Sequence, residues 1–148
     1  MPAGFEQIAV GDKLEGTPFL VSRETIRSFA EASLDFNPLH FDDKYMERTF
    51  GKTHFRGVIA HGMGTFAQMT RMMTDWLLPR GGMHRRMEAR WIQPVYPGDE
   101  IRPRAVVSQK IETAKGRWLV FELTVENNHG EVVATGEAMA ECPDNLAG

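Results

Sequence analysis

The chain has 148 residues, a length typical of one domain, and its 42% apolar residues are enough for one core, so residues 1–148 are read as a single domain. Seventeen Lys and Arg against twenty Asp and Glu leave a net charge of -3; no global basic field suggests nucleic acid, and any anion site has to be local. No apolar run is long enough for a membrane span, the first six residues lack the pattern of a signal peptide, and the single Cys142 can form no intrachain disulfide, which together predict a cytoplasmic protein.

Residues 10–21 carry Gly11, Gly16 and Pro18 among apolar residues and predict a short, irregular first strand. Ser22 is a cap for a helix from Arg23 to Ala32, where Ile26, Phe29 and Ala30 repeat at helical spacing. The pattern stops before Asp35-Phe36-Asn37-Pro38, so Asp35 and His40 fall on a loop, followed by a short helix from about Asp42 to Arg48. The main helix runs from about Gly62 to Leu78 and is so poor in charge that burial on most of its surface is expected, with Met63 to Met73 as core. Methionines near its start have an alternative use as the wall of a flexible acyl tunnel. Beyond Pro79 the period changes: Met87, Ala89 and Trp91 alternate with Arg86, Glu88 and Arg90, and residues 99–112, 117–127 and 131–141 are three further β-rich stretches joined by hairpins. One buried helix and a meander of long strands predict an α+β arrangement, an antiparallel sheet wrapped around the central helix.

Two segments carry chemistry. Asp35 and His40 are five residues apart across a turn-forming Asn37-Pro38, a candidate acid/base pair. Twenty-one residues after His40 an apolar run ends at His61-Gly62, where the main helix starts, and helix starts favour developing negative charge. The plain alternative is that Asp35 and Asn37 form an Asx turn and His40 is a satisfied loop histidine. His61 reads as a packing or capping residue.

The segments Phe29 to His40, Ile59 to Met63, Pro94-Val95-Tyr96-Pro97-Gly98-Asp99 and Thr135 to Ala138 resemble, in order and spacing, the MaoC-like dehydratases and (R)-specific enoyl-CoA hydratases. The Asp-x-Asn-Pro-x-His element followed by Ala-His-Gly-Met carries the likeness. It implies a hot-dog fold, usually a homodimer, hydrating a trans-2-enoyl-CoA reversibly to the (R)-3-hydroxyacyl-CoA, as in fatty acid metabolism, with acyl-CoA as substrate and no cofactor. Asp35 and His40 match the catalytic pair, Asn37 lies in the same loop, and Gly62 matches the amide that polarises the thioester carbonyl. His61 and Met63 belong to the same signature, and Thr70 falls where the resemblance expects a hydroxyl supporting the active-site loop. By itself Thr70 bonds equally well to a helix carbonyl. Leu34 replaces a small or acidic residue, and about four extra residues separate His40 from His61; both departures bear on substrate shape.

Adding water to a conjugated thioester needs a base, a proton for the α-carbon and donors to the carbonyl oxygen. The chain is therefore expected to use Asp35 as base, His40 as water positioner and proton partner, and the Gly62 amide as oxyanion donor. The alternatives are a dehydratase of a branched, dicarboxylic or carrier-protein-bound hydroxyacyl thioester, a thioesterase, or a non-catalytic acyl-CoA-binding subunit. Arg85, Arg86, Arg90, Arg102 and Arg104 suit either coenzyme A phosphates or a solvated strand face, with the latter favoured. No metal-ligand spacing occurs among the five histidines, so no metal is expected.

Overall fold

The computed structural model describes residues 4–143. Two short strands, β1 (Lys13–Glu15) and β2 (Phe19–Leu20), replace the single irregular strand expected at the start. Both lie on the edge of β4 (Glu100–Thr113), with Leu14 opposite Ala105 and Phe19 opposite Ile101. The break between them falls at Gly16, where a Cβ would stand 3.2 Å from the Met72 side chain. Helix α1 (Arg23–Ser33) starts at Ser22, whose Oγ accepts the Thr25 amide at 3.1 Å while Thr25 Oγ1 accepts the Ser22 amide at 2.8 Å. This reciprocal cap occupies two of the orphan donors at a helix start.

Helix α2 (Asp43–Phe50) follows the Asp35 loop, and α3 (Gly62–Leu77) is the long central helix. Strands β3 (Met83–Trp91), β5 (Gly116–Asn127) and β6 (Val132–Glu141) complete an antiparallel sheet of order β1–β4–β5–β6–β3. The inward rows show the strand period of two: Ile101, Ala105 and Val107 on β4, and Leu119, Phe121, Leu123 and Val125 on β5. Thr65, Met69, Met72, Met73 and Leu77 form the buried face of α3. On β6 the residues are small, Ala134, Gly136, Ala138 and Ala140, so the helix can lie close; a Cβ on Gly136 would come 2.3 Å from the Glu88 carbonyl of β3 and 3.1 Å from Met69 Cε.

Met63 departs from the core expected of it, being 53% exposed. It sits about 200° around the helix from buried Thr65, on the side turned away from the sheet. Of the arginines, Arg85 pairs with Glu141, Arg86 with Glu88 and Glu137, and Arg104 with Glu15 and Glu126, as befits a solvated strand face. Among the described residues no helix is long and apolar enough to cross a membrane.

Candidate active site

The Asp35 loop leaves α1 through Leu34, a non-glycine residue in the left-handed region (φ 63°), whose amide closes the helix on the Ala30 carbonyl at 2.7 Å. The chain is thereby turned so that Asp35 begins two nested turns. Asp35 Oδ1 accepts the Asn37 amide at 3.2 Å, and Asn37 Oδ1 accepts the Leu39 amide at 3.1 Å. These are the Asx turns of the plain alternative; Asp35 Oδ2 has no hydrogen-bond partner among the described residues and lies 3.9 Å from His40 Nε2. Asn37 thus shapes the loop with its side chain.

His40 is buried, and its Nδ1 donates to the Ile59 carbonyl at 2.7 Å. That bond selects the tautomer: in the neutral ring Nε2 is left as an acceptor facing the Asp35 carboxylate. Burial holds the His40 pKa below the ordinary histidine value, and nearby His61 lowers it further, against the opposing pull of the Ile59 carbonyl and Asp35. The imidazole is therefore neutral at neutral pH. The segment carrying Ile59 is pinned on both sides, with the Ile59 amide on the Leu39 carbonyl (3.1 Å) and the Ala60 amide on the Val95 carbonyl (2.8 Å).

His61 is the residue before α3, yet its side chain makes no cap bond. The ring is buried, stacks on His40 with centroids 3.7 Å apart, and packs on Phe29 at 4.9 Å. Its Nε2 donates to the Asp35 carbonyl at 2.9 Å. His61 therefore ties the loop to the helix start, a positioning role beyond the packing or capping expected of it. Asp35, His40 and His61 each offer one ligating atom, all within 4.8 Å, and form the group among the described residues that could hold a cation.

Gly62 opens α3, and no acceptor for its amide is found among the described residues, as expected of a first helical N–H. A Cβ here would lie 2.4 Å from Trp91 Nε1, so the close packing of the indole requires glycine. Gly62 and Trp91 line a cavity of about 260 Å³ together with Ile59, Ala60 and Thr65. A smaller apolar cavity of about 60 Å³ lies on the His61 side, bounded by Phe29, Ile26, Val21 and Ile101. Met63 is exposed beside the site. Thr70 bonds the Phe66 carbonyl at 3.0 Å and faces Met87 Sδ at 3.7 Å, so its hydroxyl is used within the helix and against β3. Trp91 and the Ile59 carbonyl escaped the sequence reading. An aromatic at the end of an alternating strand carries no site signal, and a backbone carbonyl carries none in any sequence.

A profile of the MaoC like domain matches residues 6–128. The mitochondrial 3-hydroxyacyl-[acyl-carrier-protein] dehydratase of Arabidopsis thaliana is 33% identical over 139 residues, 93% of this chain and 79% of the relative. The (R)-specific enoyl-CoA hydratase of Aeromonas caviae is 27% identical over 118 residues, 80% of this chain and 84% of that protein. Among solved structures, unliganded R-hydratase PhaJ1 from Pseudomonas aeruginosa superposes with a TM-score of 0.81 at 27% identity, covering 96% of this chain and 86% of the other. The sheet wrapped on α3 is the hot-dog fold that such structures share.

Proposed function

Because the chain belongs to the MaoC-like domain family, we propose that it is a hydro-lyase that reversibly adds water across the double bond of a trans-2-enoyl-CoA to give the (R)-3-hydroxyacyl-CoA. The observation that carries this reading is the pair of acceptors His40 Nε2 and Asp35 Oδ2, 3.9 Å apart. Two acceptors at that separation call for a donor between them, and a water with one proton toward each has its lone pair free for the substrate β-carbon. Its oxygen forms the new C–O bond as one proton leaves for the Asp35–His40 pair, with Asp35 as base and His40 as positioner. The π electrons move onto the thioester oxygen, where the Gly62 amide stabilises the enolate. The α-carbon then takes a proton from the pair, which ends the cycle as it began.

The relatives act on thioesters of both coenzyme A and acyl carrier protein by name, so the same chemistry run as dehydration of a carrier-protein-bound hydroxyacyl group is the second reading, favoured by the Arabidopsis relative. The chain is further proposed to act as a homodimer. Strand β3 is a nine-residue sheet edge with one side unpaired among the described residues, and Leu34, Phe36, Met63, Trp91 and Ile92 leave apolar surface exposed around the site. No step requires a metal or a redox group, so activity is expected to survive exhaustive chelation.

The test is incubation of the pure protein with crotonyl-CoA and longer enoyl-CoAs, following the conjugated enoyl absorbance, with Asp35→Asn as control. Loss of absorbance with the wild type alone supports hydration. Equal loss with Asp35→Asn refutes the mechanism, and no loss with the wild type on enoyl-CoA or enoyl-carrier-protein substrates refutes the function.

A further inference from the structure

Trp91 is the last residue of β3, held in register by pairing with Ala134 of β6, and its indole lies over the first residue of α3. The ideal Gly62 Cβ position is 2.4 Å from Nε1, 2.6 Å from Cε2 and 2.9 Å from Cδ1, so it is the pyrrole part of the indole, centred on its nitrogen, that covers the glycine. No acceptor for Nε1–H is found among the described residues; the ring is packed against Gly62 on one side and 50% exposed. Two N–H groups without acceptors, the Gly62 amide and the Trp91 indole, therefore stand side by side on the wall of one cavity.

An indole N–H is a donor and never an acceptor. With the side chain half exposed on the cavity wall, the indole N–H can exchange a solvent partner for the oxygen of a bound ligand, a bond that an all-carbon ring covering Gly62 could not make. An enolate oxygen has lone pairs for two donors, and donors contributed by two rigid elements, α3 and β3, need no reorganisation as charge develops. We propose that Trp91 Nε1–H is the second oxyanion donor, sharing the thioester oxygen with the Gly62 amide. This inference rests on the hydro-lyase reading above, and makes Trp91 a catalytic residue of that reaction.

The test is Trp91→Phe, which keeps an aromatic cover and removes the donor. The expected result is a fall in kcat of roughly 100-fold, the usual effect of losing one oxyanion donor, with KM little changed because the interaction strengthens in the transition state. A variant with wild-type kcat overturns the inference and leaves the hydro-lyase reading standing, whereas a wild type without hydration activity overturns both. A second measurement does not depend on how Trp91→Phe folds. In 15N-labelled Asp35→Asn, which retains Trp91, the chain has three indole N–H resonances. Crotonyl-CoA is expected to move the Trp91 resonance downfield, and a resonance unmoved at saturation overturns the proposal.

Discussion

At the scale of single residues, the site depends on which atoms are left over after the local bonds are made. His40 spends Nδ1 on the Ile59 carbonyl and leaves Nε2 as an acceptor, so in the mechanism proposed above the reactive form is the neutral ring. Hydration is accordingly expected to be flat through neutral pH and to fall on the acid side, with the limb lying below the ordinary histidine value of about 6.5 because burial lowers the His40 pKa. A pH–kcat profile checks this, and a limb above that value contradicts it. Gly62→Ala is expected to lower kcat more than tenfold by displacing the Trp91 indole from the proposed oxyanion site. Its thermal midpoint should change little, since the ring that has to move is half exposed. A large drop in midpoint would show that the indole contact is structural.

At the scale of elements, the ends of the helices matter more than their middles. Leu34 closes α1 with φ at 63°, a conformation that costs a non-glycine residue roughly 1–2 kcal/mol and that glycine adopts freely. Leu34→Gly should therefore raise the thermal midpoint by a few degrees, read by circular dichroism; a fall would mean that the exposed leucine makes a compensating contact. The helix and strand positions were legible in the sequence to within two or three residues, because period, caps and turn residues act locally. Ser22 capped the helix it was expected to cap, and the Lys115-Gly116 turn joins β4 to β5. The splitting of the first strand was not legible, since which of its residues pair is decided by β4, a segment far along the chain. The exposure of Met63 was hidden for a similar reason: an apolar run tells how much of a helix can be buried, and the sheet chooses which side.

At the scale of the whole molecule, burial of titratable rings ties stability to pH. His40 and His84 both have lowered pKa values from burial, so the unfolded chain binds more protons than the folded one once the pH falls below about 6.5. Stability is thus fully present above that pH and declines as the pH drops toward the folded-state values, which a series of thermal melts from pH 7.5 to 5 checks; a midpoint constant across that range contradicts it. In solution the mass expected from light scattering is about twice the 16.7 kDa of one chain. By itself the sequence determined the wrapped-sheet fold and the segments in which Asp35, His40 and Gly62 lie, because periodicity, turn chemistry and a spaced motif are properties of neighbouring residues. Only the tertiary structure decided that His61 stacks on His40 and holds the Asp35 loop, that a carbonyl nineteen residues from His40 sets its tautomer, and that Trp91 lies over Gly62. Those contacts join distant segments through backbone groups and ring faces, which leave no pattern along the chain.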